Sequence, residues 1–284
     1  MSASVASRAD PTRTKTVRQT FAERLRGEYD AIIAQVRQDV GERDVFGVET
    51  AATEALATPT PLPPLRSARR DAQIDRYVEW LREQQRTGPL AVVTGAGVLS
   101  YLRSAYRAAI RQADAQLRQA GYDAPTREER DDAALLAREP HREALAEHAA
   151  RTRRELAGVA RAVEQQSQRE LSEALRSPTT AEALAAVAID RLAAVGKTRA
   201  TTTAVTEPVR AHADATLTRF AEFDVSVVQQ HAEYQTAGDA AVCPDCAALH
   251  GARMSIEEAR GIIPQHPRCR CRWSLVETRT PVRG

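Results

Sequence analysis

The 284-residue chain carries 40 Lys+Arg against 38 Asp+Glu, a formal charge of +2. It is therefore not a polycation that grips nucleic acid through bulk charge, and any basic surface on it has to be local. Only 4% of residues are aromatic, and the dominant Ala, Arg, Glu, Gln and Leu lose little side-chain freedom in a helix, so the expected fold class is mainly α with long helices.

No apolar run reaches the roughly 18 to 20 residues that span a bilayer, and the polar start Met1-Ser-Ala-Ser-Val-Ala-Ser-Arg8 has no signal-peptide core. The expectation is a protein made and used without a membrane and without secretion. Along the chain, Val17, Phe21, Leu25, Tyr29, Ile32, Ile33, Val36 and Val40 recur every three to four residues, which predicts a helix from Thr16 to Val40, ended by Gly41. Thr58-Pro-Thr-Pro-Leu-Pro-Pro64 is expected to be extended, as a linker or a strap, because proline removes donors and pushes the preceding residue out of the helical region. A second helix is predicted from Ser67 to Arg86, with Ile74, Tyr77, Val78 and Leu81 on one face, Trp80 beside it, and Gly88-Pro89 as a stop.

Gly95-Ala-Gly97 has two glycines of a phosphate loop but neither the later Gly nor the Lys-Ser/Thr, and reads as a break before a helix from Leu99 to Ala120, capped by Gly121. Long Ala/Arg/Glu-rich helices are predicted from Pro140 to Arg176 and, entered through Ser177-Pro178, from Thr179 to Val195, with Gly196 as the stop. Their charged outer faces read as solvated surface or helix–helix contact. No internal repeat and no sustained heptad is present. The chain is divided into residues 1–66 (helix and Pro-rich strap), 67–200 (helical domain) and 201–284 (a small α+β unit).

All four cysteines fall in that last stretch. Cys243-x-x-Cys246 and His266-x-x-Cys269 have the same two-residue gap, and Cys271 follows. A two-residue gap in a tight turn lets both side chains converge on one ion, and a second pair completes a tetrahedron, so the pattern points to a structural Zn2+. Disulfides fit poorly without secretion, and a redox CxxC would not explain His266/Cys269. An extended Cys269-Arg-Cys271 would send its two sulfurs to opposite faces. The favoured ligands are therefore Cys243, Cys246, His266 and Cys269, with Cys271 as a buried thiol or substitute ligand. Between the pairs, Ser255-Ile-Glu-Glu258 is a capping box opening a helix from Ser255 to Arg260, ended by Gly261, and Trp273 to Val276 reads as a covering strand. The segment is short, so metal is expected to substitute for missing apolar burial. No His-Glu-x-x-His occurs, and His250 reads as a surface histidine in the turn before Gly251. No catalytic site is expected.

The string Tyr234-x-Thr236-x-x-Asp239-x-x-Val-Cys-Pro-x-Cys-Ala-Ala-Leu-x-Gly251, closed by His266-Pro-x-Cys-Arg-Cys271, resembles the C-terminal signature of the phage Mu F-like head morphogenesis, or minor head, proteins of tailed viruses. Upstream, Ala204, Thr206 and Glu207 match the family's Ala-Arg-Thr-Glu helix, with Val205 where the family usually has Arg and Tyr234 where it usually has Trp. The likeness runs from about Pro140 to Val276. It implies a structural minor capsid protein inside the virion head, made in the host cytoplasm and associated with the portal protein. Major capsid or scaffold protein and packaged DNA would be its neighbours.

Two other readings compete. Arg268, Arg270, Arg272, Arg279 and Arg283 around the metal suggest a zinc-ribbon nucleic-acid binder, which the near-neutral charge and scarce aromatic platforms oppose. A zinc-dependent hydrolase is the third, because the F-like domain also occurs joined to toxin domains. It lacks a histidine spaced to pair with another His or a carboxylate.

Overall fold

A computed structural model describes residues 10–48, 63–86, 97–177, 179–223 and 229–278. Among the described residues the protein is mainly helical, with one small antiparallel sheet near the C-terminus. The helices are α1 (Lys15–Val36), α2 (Pro63–Arg86), α3 (Gly97–Gln119), α4 (Asp132–Ala137), α5 (His141–Ala174), α6 (Ala181–Arg191) and α7 (Thr198–Ala221). There follow β1 (Gln229–Gln235), α8 (Pro244–Leu249), β2 (Arg253–Ser255), α9 (Ile256–Ala259) and β3 (Arg272–Thr278). Two compact units are formed, one from residues 1–21, 98–152 and 202–284, the other from 22–97 and 153–201. Each recruits pieces that are far apart in the chain.

In the second unit, the apolar stripe of α1 behaves as its periodicity requires: Leu25, Tyr29, Ile32 and Val36 are buried, while Ile33 is half-buried. Gly41 does not end the helix. The chain continues through a π-helical turn, Arg37–Glu42, and a Cβ at Gly41 would sit 3.4 Å from the Ala185 Cβ. Gly196, the other expected stop, lies in a second π-helical turn, Leu192–Lys197, that runs straight into α7. A Cβ there would fall 2.2 Å from Tyr29 Cε1, so this glycine makes room for a ring.

The helix α2 starts at Pro63, earlier than expected. Proline is tolerated in a first turn, where the missing N–H would have no partner anyway. The rest of the Pro-rich strap, residues 58–62, lies outside the described residues, as do Gly88, Pro89, Gly95 and Ala96. On α2, Ile74, Tyr77, Val78 and Leu81 are buried, and the Trp80 ring stacks on Tyr77 with centroids 6.1 Å apart. Thr180, rather than a residue nearer Pro178, caps α6 by accepting the Ala183 N–H at 3.1 Å.

In the first unit, α3 ends as expected. Gly121 has φ +94°, and the Tyr122 N–H donates back to the Leu117 carbonyl at 3.0 Å. The short helix α4, capped by Asp131, and the strands β1 and β2 carry no periodic signal that the sequence reading used. The helix α7 runs through Pro208, giving up one backbone hydrogen bond, yet Ala204, Val209, Ala213, Leu217 and Phe220 are all buried. Burial of that face outweighs the local defect. The sheet has the order β2-β1-β3, with Ala232 opposite Met254 on one side and Leu275 on the other.

These strands and α9 do not make a core by themselves. Tyr234, Ile256, Ala259, Ile263 and Trp273 join Leu117 of α3 and Val209, Leu217 and Phe220 of α7 in one buried cluster. The C-terminal segment thus completes its apolar burial on helices more than a hundred residues upstream as well as on one that precedes it. The missing burial anticipated for this segment is supplied by those helices, whatever a metal adds.

Candidate metal centre

The cluster is built from two turns. In the first, Cys243 is the N-cap of α8, Pro244 occupies the opening turn, and the Cys246 N–H donates to Cys243 Sγ at 3.3 Å. That donor at a helix N-terminus favours a thiolate, so the Cys243 thiol sits below the usual thiol range, chiefly through this hydrogen bond. In the second turn, the Cys269 N–H donates to the His266 carbonyl at 3.2 Å, and Arg268 adopts a left-handed φ of +65°.

His266 Nδ1 is 2.7 Å from the Pro267 carbonyl, which can only accept. The Nδ1 proton is therefore spoken for and Nε2 is left as the donor atom toward the cysteines. That Nε2 lies 3.2 Å from both Cys243 Sγ and Cys246 Sγ. Cys246 Sγ is in turn 4.0 Å from Cys269 Sγ. Two sets of donor atoms, Cys243/Cys246/His266 and Cys246/Cys269/Cys271, each lie within 4.8 Å of one another. Cys246 belongs to both.

Cys269 and Cys271 do not point apart. The strand β3 begins only at Arg272, so residues 269–271 are not extended partners in the sheet, and both sulfurs turn to Cys246. All five residues expected as ligands or substitute ligand are thus gathered, and together they could hold a metal ion.

Crowding shows in the protonation equilibria. Hydrogen bonding from Cys271 lowers the Cys269 thiol to about 5 despite its burial, while burial pushes Cys246 up to about 11. Cys271 is raised by its sharing with Cys269 and by burial, and His266 is raised by its bond to the Pro267 carbonyl. Among protons alone, one buried thiolate suppresses the next. A divalent cation at this point would relieve that competition.

The surrounding motif residues brace the two turns. The buried Tyr234 hydroxyl donates to Cys246 Sγ at 3.3 Å, and its ring meets Trp273 edge-on at 5.5 Å. Arg270 forks onto Asp239 with two contacts of 2.6 Å. His250 is exposed, as expected, and its Nδ1 accepts the Thr236 N–H at 3.3 Å. Arg272 reaches Gln112 Oε1 at 3.4 Å, whereas Arg279 and Arg283 lie outside the described residues.

Three associations were invisible to spacing rules. The Thr206 hydroxyl of α7 accepts the Arg268 N–H at 3.0 Å. His148 Nε2 lies 3.0 Å from Asp214 Oδ2, beside a cavity of about 180 Å³ that Arg210 and Trp273 also line. His141 Nε2 lies 3.2 Å from Glu222 Oε1. The partners in the three pairs are 62, 66 and 81 residues apart, so only folding brings them together.

A helical protein whose C-terminal segment closes on a Cys/His cluster is the class that fold and site define. Residues 165–274 match the family model described as Phage Mu protein F like protein, the family that the residues between Tyr234 and Cys271 resemble. No curated protein and no solved structure matches the chain.

Proposed function

We propose that the protein is a minor head protein of a tailed virus, a structural part that sits inside the capsid at or near the portal and serves head assembly or genome delivery. Its C-terminal region carries a structural Zn2+ held by Cys243, Cys246, His266 and Cys269, with Cys271 as substitute ligand. The observation that carries this reading is the five-donor cluster inside the stretch that matches the Mu F-like family.

The donor chemistry fits zinc. Tetrahedral ligands about 2.3 Å from zinc for sulfur and about 2.0 Å for nitrogen stand roughly 3.8 Å apart for S–S and roughly 3.5 Å for S–N. The Sγ–Sγ distance of 4.0 Å and the Sγ–Nε2 distances of 3.2 Å bracket those edges. Five donors for four positions leave no vacant position for a substrate or an activated water, which favours a staple over a catalyst. Of the arginines that suggested nucleic-acid binding, Arg270 is committed to Asp239 and Arg272 to Gln112, which supports the head-protein reading over a dedicated DNA binder.

The test uses the virus and the purified chain. The protein should sediment with portal assemblies through its helical region, 67–195, and contain about one zinc per molecule. Cys243→Ser combined with His266→Ala should give defective or non-infectious heads. Absence of the protein from virions, or hydrolysis of peptide or nucleic acid that depends on Cys243 and His266, would overturn the reading in favour of an enzyme.

A further inference from the structure

Thr206 is 60 residues upstream of His266 and is no metal ligand, yet its hydroxyl touches the ligand turn directly. It accepts the N–H of Arg268, the residue immediately before Cys269, at 3.0 Å. The same hydroxyl donates to the Thr202 carbonyl one turn back on α7 at 2.7 Å, which fixes the direction of its lone pairs. Arg268 is the one residue of this turn with a left-handed backbone, φ +65°, a conformation that is uncommon for a side chain with a Cβ and persists where surroundings hold it. The Arg268 guanidinium adds a longer contact to Thr202 Oγ1, 3.5 Å. Thr206 itself is only 8% exposed, so water competes little for this bond.

From this geometry we infer that Thr206 is a positioning residue of the metal centre: its hydroxyl holds the His266-Pro-Arg-Cys269 turn in the conformation that aims His266 and Cys269 at Cys246. The inference rests on the zinc reading and deepens it. Without the hydroxyl, the turn has to find its left-handed residue unaided each time it binds metal, so the cost appears in metal affinity. Partners that orient ligands in this way typically contribute ten- to a hundredfold to affinity. One neutral backbone hydrogen bond to a hydroxyl puts the effect here near the lower end, about tenfold.

The test is a competition titration of full-length protein against a chromophoric chelator, with Zn2+ for affinity and Co2+ for the ligand-field spectrum. Thr206→Val keeps shape and removes the hydroxyl, and should weaken Zn2+ about tenfold and alter the Co2+ spectrum. Thr206→Ser should restore both. Arg268→Gly retains the N–H and relaxes the backbone, and should bind at least as tightly as the parent. Circular dichroism establishes that each variant is folded, and if T206V does not fold, T206S and R268G still report. Wild-type affinity and spectrum in T206V, or failure of T206S to rescue, or a tenfold loss in R268G would overturn the inference. A parent protein that takes up no metal would instead remove the zinc reading itself, and with it this inference, so the two failures are told apart by the parent alone.

Discussion

Replacing Gly196 by Ala sets two effects of opposite sign against each other. Ala is favoured over Gly in a helix by about 1 kcal/mol, which on propensity alone would stabilise the protein. The new Cβ, however, would lie 2.2 Å from Tyr29 Cε1, 2.9 Å from Cδ1 and 3.0 Å from Cζ. Carbon atoms rest at about 3.5–4.0 Å, so the nearest pair overlaps by more than about 1 Å. Tyr29 is 2% exposed and cannot swing into solvent without leaving its core. Forcing a methyl into such packing costs about 1–3 kcal/mol, and an overlap this deep falls in the upper part of that range, about 2–3 kcal/mol, so the net loss should be about 1–2 kcal/mol once the propensity gain is deducted. With a urea m-value of about 1–3 kcal/mol/M, the midpoint followed by circular dichroism should fall by roughly half a molar to one molar. In a Tyr29→Leu background the ring edge is gone, and the same substitution should be neutral or stabilising, giving a coupling of about 1 kcal/mol or more. A higher urea midpoint for G196A in the otherwise unaltered protein would refute the reasoning.

Cys246 is common to both donor sets, so Cys246→Ser should abolish metal uptake, whereas Cys271→Ser should leave a complete set of four. Elemental analysis after purification without chelator decides this, and one metal per chain in C246S would contradict it. Burial alone would raise the Glu222 carboxyl, but contacts from His141 and Arg219 more than compensate and hold it at about 2 against an ordinary 4.5. Because the folded value is the lower one, the stabilisation is complete above pH 4.5 and fades as pH falls toward 2. The stability gap between the parent and Glu222→Gln should accordingly shrink over that interval in acid titrations, and a gap constant from neutral pH down to pH 2 would be the contrary result.

The division between what sequence and tertiary structure decide follows from the range of the interactions involved. Helices with a wide apolar stripe, such as α1 and α2, and local hydrogen-bond motifs were legible because their causes lie within a few residues. The Ser255/Glu258 capping box forms as read, with reciprocal bonds of 3.3 and 3.0 Å. The ligand types were legible for the same reason, since CxxC and HxxC spacing already brings each pair into one turn.

Stops were misread where a distant neighbour changed their meaning. Gly41 and Gly196 look like terminators, but each lies inside a π-helical turn, and Gly196 makes room for the Tyr29 ring. The helix α7 also carries Pro208 in its interior, with Val209, Ala213 and Leu217 buried beyond it. The convergence of Cys271 with Cys269 on Cys246, the Arg270–Asp239 fork and the Thr206–Arg268 bond depend on how turns are laid against β1 and α7. Sequence alone determined which residues could bind a metal and which faces had to be covered. Which donors actually meet, and which helices cover the segment that bears them, was decided only by tertiary packing, because side chains tens of residues apart have no relative orientation until the backbone between them is fixed.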